Sequence, residues 1–123
     1  MIDEPRTVGT TDATHNKLKR LVEEEHFAEM LDAYRFAIGY MLARGIDPPE
    51  VSTRTIFAVG SLDPDQSLKA AVEALMPSNY DGAIYKMAER LAEAGIIEMH
   101  GLMRSGELDL PRLIEDAGEL VSE

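Results

Sequence analysis

Catalysis and metal binding need particular side chains at particular spacings, and histidines and carboxylates are the first to weigh. Glu23 and His26 form an E-x-x-H, which sets a carboxylate and an imidazole on one helical face. Carboxylate-bridged metal sites in helical bundles use two such pairs and two further glutamates. The second pair is missing, because Glu98 and His100 are two residues apart and diverge on a helix. His15, His26 and His100 are scattered, without the close ligand pairs of a zinc site. Cysteine is absent, which removes thiolate ligands, thiol nucleophiles and disulfides together. Asp32 is the best single candidate for acid–base work, but with Arg35 three residues on it reads more simply as half of an ion pair. Ser61 lacks the second glycine of a nucleophile elbow, and the glycines lie singly rather than in a phosphate-binding loop. The expectation is a protein without a catalytic set, without a metal and without a cofactor.

The elements that would carry these residues are mostly helical. Residues 1–11 mix Asp3, Glu4, Pro5 and Gly9 and read as an arm holding one short strand around Arg6 to Thr10. Asp12 offers an N-cap to a short helix with Leu18, Leu21 and Val22 on one side. Phe27 falls out of phase with Val22, so a turn is expected at residues 24–26. From Phe27 to Arg44 the periodicity is clearest: Phe27, Met30, Leu31, Tyr34, Ile38, Met41 and Leu42 make one stripe, and Gly45 supplies the stop. Ala33, Phe36, Ala37 and Tyr40 widen that stripe, which implies a helix either central to the domain or covered by another subunit.

Pro48 and Pro49 break the pattern, and Thr53 to Val59 reads as a strand. Asp63-Pro64-Asp65-Gln66 has the composition of a capping box ahead of a helix with Leu68, Ala71, Val72 and Leu75 inward. Ser78 with Asp81 would open the next helix, with Ile84, Met87, Ala88 and Leu91 inward and Gly95 as its end. Residues 96–103 fit either helix or a strand paired with 53–59, and Pro111 would start a last helix with Leu113, Ile114, Ala117 and Leu120 on one side. The reading is a mainly α, compact helical domain of about five helices with one or two short strands, spanning residues 1–123 as a single domain.

Charge narrows the partners. The chain has 123 residues, with 23 acidic and 12 basic side chains and a formal net charge of -11. Residues 1–59 hold ten acids and seven bases, whereas residues 60–123 hold thirteen and five. A broad phosphate-tracking surface needs Lys and Arg, so the total disfavours DNA while leaving room for a small basic patch in the first half. The acidic second half reads as solvated helix faces or as a surface for a basic protein partner. No apolar run is long enough to span a bilayer and no export signal is evident, so the expected location is the cytoplasm, away from membranes.

One stretch suggests a family. Short strand, short helix, turn and longer helix is the order found in ribbon-helix-helix proteins. HNKLKRLVEEEHFAEMLDAYRFAIGYMLARG also resembles small DndE-like proteins associated with DNA phosphorothioation and restriction systems. The points of similarity are Leu18-Lys19-Arg20-Leu21, Phe27 and Asp32-Ala33-Tyr34-Arg35-Phe36-Ala37, all within the N-terminal third. The resemblance implies an oligomer acting near DNA, with contacts falling on Arg6, Thr10, Lys17, Lys19 and Arg20. The would-be ribbon departs from the pattern, with one basic residue and a glycine at position 9.

Two functions follow as expectations. The first is a non-catalytic assembly or adaptor protein forming a homo-oligomer through helix 27–44, with Phe27, Tyr34, Phe36 and Tyr40 at the interface. The second is a DNA-binding regulator of ribbon-helix-helix type, or a DNA modification or restriction-associated protein.

Overall fold

The computed structural model describes residues 3–76 and 80–113. The fold is mainly α with short strands, as the periodicity predicts. In chain order it runs β1 (Thr7–Thr10), α1 (Asp12–Glu23), α2 (Met30–Ala43), β2 (Arg54–Ala58), α3 (Val59–Leu62), α4 (Ser67–Leu75) and α5 (Ile84–Arg104). No helix among the described residues is long and apolar enough to cross a membrane.

α5 is the axis of the molecule: α2, α1, α4 and β1 all pack on it. Its sequence was expected to end at Gly95, yet the helix runs through that residue for another two and a half turns. The reason is steric. A Cβ at Gly95 would lie 2.7 Å from the carbonyl oxygen and 2.8 Å from the Cβ of Ala37 on α2, so this glycine lets two backbones meet rather than stopping a helix. The true stop is Gly106, at φ +77, where Gly106 N–H and Glu107 N–H donate to the carbonyls of Met103 and Leu102. α2 ends the same way at Gly45 (φ +66), as its sequence suggests. α1 closes likewise at the expected turn, with Glu25 in the left-handed position at φ +64.

Helix starts are supplied from farther away than the sequence indicates. Thr11, not Asp12, caps α1, its hydroxyl accepting from Thr14 N–H. Asp63 does cap α4, but after an intervening turn with Gln66 at φ +60, accepting from Leu68 and Lys69 N–H at 2.9 Å. The Ser78 start lies outside the described residues. α5 is instead closed by Glu4 of the N-terminal arm, whose carboxylate accepts from Ile84 and Tyr85 N–H at 2.8 and 2.9 Å. The arm is therefore tied down through Glu4.

β2 pairs with β1, antiparallel, with an irregularity between Val8 and Gly9; it does not pair with 96–103, which belongs to α5. The bulge has a cause at Gly9, where a Cβ would fall 1.7 Å from the Arg54 carbonyl oxygen. The core is one cluster drawing on both strands and all the longer helices, with Leu18, Leu21, Tyr34, Ile38, Leu91, Ile96 and Met99 among its most enclosed members. Of the last expected helix, Ile114, Ala117 and Leu120 lie outside the described residues.

Candidate functional site

Three groupings bear on function. The first is a polar seam between β1 and α5. Glu89 and Glu93, one turn apart on α5, are both buried and both face the N-terminal strand. Glu89 Oε2 accepts from Gly9 N–H at 2.9 Å and from the Thr53 hydroxyl at 2.7 Å, while Lys86 Nζ lies 3.2 Å from Oε1. Glu93 accepts from Thr11 N–H (3.0 Å), the Thr11 hydroxyl (2.9 Å) and the Thr14 hydroxyl (2.7 Å). Tyr34 donates to the Gly9 carbonyl at 2.8 Å. Burial pushes the Tyr34 hydroxyl well above the usual tyrosine range, and the nearby charges of Glu89 and Glu93 push it further. Each carboxylate thus accepts from three donors of its own chain, an arrangement that ties β1 and the start of α1 to α5.

The second grouping is the outward side of α2, which starts at Met30 and not at Phe27 as expected, leaving Phe27 in the turn ahead of the helix. Phe27 and Phe36 are half-buried, their ring centroids 5.6 Å apart, and Phe36 stacks on Tyr40 at 6.3 Å. Arg44 lies over the Tyr40 ring, donates to its hydroxyl and pairs with Glu98 of α5. Beside Phe36 sits Gly39, exposed in the middle of the helix, with nothing among the described residues within 4 Å of where its Cβ would be. Tyr34 does not belong to this row. It was expected at an oligomer interface but is fully enclosed by its own chain, edge-on to Phe57, because its hydroxyl is needed at Gly9. Tyr40 keeps only 8% of its surface exposed, so it contributes an edge and not a face. Much of the apolar width of this helix is absorbed internally, against α1, α4 and α5.

The third grouping is cationic. α1 and α5 run in the same direction, a register fixed by Thr14 against Glu93. Lys17, in the middle of α1, and Arg20, in its last turn, then come near His100 and Arg104 toward the C-terminal end of α5. His100 is held below the usual histidine range by burial, then by the charges of Lys17, Arg104 and Arg20, with Glu24 opposing. Lys19 is exposed, and Arg20 pairs with Glu24 at 2.8 Å. Arg6 is exposed ahead of β1. Thr10, expected at a nucleic-acid surface, is instead buried with its hydroxyl on the Thr11 carbonyl, since it lies under the strand pair. Sequence spacing could not supply His100 and Arg104, which join this group only through the packing of α5 on α1.

Asp32 is exposed and 3.9 Å from Arg35, whose guanidinium is mostly engaged with the carbonyls of Leu62 and Ser61 at the end of α3. Glu23 is exposed and His26 half-buried just past α1. No group of three or more His, Asp or Glu among the described residues comes together to hold a metal. A pocket of about 190 Å³ between α2, α4 and α5 is lined by Leu42, Ile46, Met87, Leu91 and their apolar neighbours, with no group able to move a proton. In comparisons with known proteins, no family model, no curated relative and no solved structure matches the chain.

Proposed function

We propose that this is a non-catalytic, cytoplasmic assembly or adaptor protein that self-associates through the outward side of α2. The carrying observation is Gly39. A glycine inside a helix costs roughly 0.5–1 kcal/mol relative to alanine, and nothing in its own chain approaches it. It lies beside half-buried Phe36 on the exposed side of α2, where a second copy can lie close against the helix backbone. The buried carboxylates support the non-catalytic half of the reading, since each accepts from three donors of its own chain. The acidic surface of the second half remains a place for a basic protein partner.

Gly39→Lys tests this without attacking the core. The substitution improves helix propensity in open space, so at dilutions where wild type is monomeric the melting temperature should hold or rise by about the equivalent of 0.5–1 kcal/mol. Sedimentation should meanwhile show the assembly lost. An unchanged particle mass removes α2 as the contact.

A second reading, DNA binding in a modification or restriction setting, is supported by the convergence of Lys17 and Arg20 with Arg104. It does not draw on a ribbon swapped between copies. Gly9 N–H and C=O are taken by Glu89 and Tyr34, and Thr11 N–H by Glu93, so β1 would have to shed these bonds to pair across a dimer. If the helix-edge cations bind duplex DNA, replacing Lys17, Arg20 and Arg104 by Ala should cut affinity about tenfold or more and flatten its salt dependence. No binding of wild-type protein to a duplex pool at low salt ends this reading.

A further inference from the structure

We infer that the Asp81–Gly82 peptide is a site of spontaneous isoaspartate formation, a modification that leaves the mass of the chain unchanged and loosens the start of α5. An aspartate reacts in this way when its carboxyl has no structural duty and the amide nitrogen after it is uncrowded. Among the described residues Asp81 alone meets both conditions. Asp12 and Asp32 lie in α1 and α2, where helical backbone holds the next amide away from the carboxyl carbon. Asp47 and Asp63 precede prolines, which have no amide N–H to give up. The carboxylates of Asp65 and Asp109 accept from Ser67 and Arg112, and larger side chains follow both, as Glu4 follows Asp3. Asp81 is exposed in the loop ahead of α5, and no hydrogen bond or ion pair with a described residue uses its carboxylate. Gly82 follows it, and its N–H donates to no backbone carbonyl among the described residues.

The Gly82 nitrogen attacks Cγ of the Asp81 carboxyl. A Cγ–N bond forms, and the amide proton and carboxyl hydroxyl leave together as water. Water then opens the five-membered imide. Where it breaks the bond from that nitrogen to the Asp81 main-chain carbonyl carbon, the chain afterwards runs through Cβ and Cγ. The lost water is regained and one carboxylate remains, so neither mass nor charge changes. Packing retains the glycine that permits this. A Cβ at Gly82 would lie 2.5 Å from the Tyr80 hydroxyl oxygen and 2.7 Å from its Cζ, so a larger residue could enter only by displacing Tyr80. That hydroxyl donates to the Ala83 carbonyl at 2.6 Å, and Arg90 lies over the ring. Isomerisation adds one carbon to the main chain between Asp81 and Gly82, which shifts Gly82 from beneath the ring and carries Ala83, Ile84 and Tyr85 with it. Ile84 and Tyr85 supply the N–H groups held by Glu4, so the modification releases the N-terminal arm from α5. None of this depends on self-association.

The test ages the full folded chain at neutral pH and probes it with a protein isoaspartate methyltransferase and a labelled methyl donor. Trypsin then releases residues 70–86, bounded by Lys69 and Lys86, in which Asp81 is the only aspartate. Label should accumulate on this peptide, and before methylation its mass should be unchanged, whereas deamidation of Asn79 would raise it. Asp81→Glu should lose the label, because glutamate has to close a larger ring. Ile84 and Tyr85 amides should exchange faster in aged wild type than in aged Asp81→Glu. A native chain that stays unlabelled at residues 70–86 while a free peptide of that sequence becomes labelled overturns the inference. So does label that persists in Asp81→Glu. Equal exchange of the two amides in both aged proteins refutes the loosening of α5.

Discussion

Gly95→Ala should destabilise the protein by about 1–2 kcal/mol, and Gly95→Val by about 3 kcal/mol or more, read as denaturant midpoints at unchanged slope. Two effects compete. Alanine gains roughly 1 kcal/mol of helix propensity over glycine, which alone would raise stability. Against it stands a Cβ placed 2.7 Å from the Ala37 carbonyl oxygen and 2.8 Å from the Ala37 Cβ, a closeness relieved only by moving α2. Neither obstacle is a flexible side-chain tip, so steric cost wins. Valine adds two methyls to the same gap. Gly39→Ala, measured at a dilution where the chain is monomeric, serves as the internal control: the same substitution, also mid-helix but in open space within the chain, should stabilise. Two glycine-to-alanine changes of opposite sign would establish that Gly95 is a crossing point. Stabilisation by both would refute the close α2–α5 approach.

Removing the Glu89 carboxylate should cost about 2–4 kcal/mol in Glu89→Ala and clearly less in Glu89→Gln. Alanine leaves the buried Gly9 N–H without an acceptor and the Thr53 hydroxyl unpaired, so the penalty is the desolvation of orphaned donors more than the loss of attraction. Glutamine keeps one carbonyl oxygen, and both donors converge on a single carboxylate oxygen, so much of the arrangement survives. Its amide then faces Lys86, a modest loss at a part-exposed amine. Hydrogen exchange offers a local readout. The Gly9 amide should lose protection in Glu89→Ala ahead of the core amides of α2, because β1 is released first. Equal stability of Ala and Gln variants would show that the seam contributes little.

How much of this was legible depends on the range of the interaction. The α2 periodicity, its glycine stop and the turn at 24–26 are local consequences of helical spacing and left-handed backbone, and the residues alone indicate them. Gly95 and Gly106 carry the same letter but opposite jobs, and only the presence of Ala37 beside one of them separates the two. Glu89 and Glu93 look like surface glutamates in M-A-E-R-L-A-E-A, since a carboxylate's burial depends on donors some 80 residues away. Tyr34 and Phe36 sit two apart on one broad apolar helix, and spacing cannot say which turns inward. Tyr34 does, because Gly9 presents a buried carbonyl to be satisfied.

By itself, then, the sequence determined a mainly helical chain with short strands, most of its local stops and an acidity concentrated after residue 60. These are set by side-chain periodicity, φ preference and charge count, none of which needs a partner. Tertiary structure decided which strand pairs with which, which helix forms the axis and which carboxylates are internal staples. It also brought His100 and Arg104 beside Lys17 and Arg20, and left Gly39 exposed among the described residues. Those outcomes depend on distant groups meeting: a backbone amide needs an acceptor wherever the chain can supply one, and two helices approach only where neither carries a Cβ in the way.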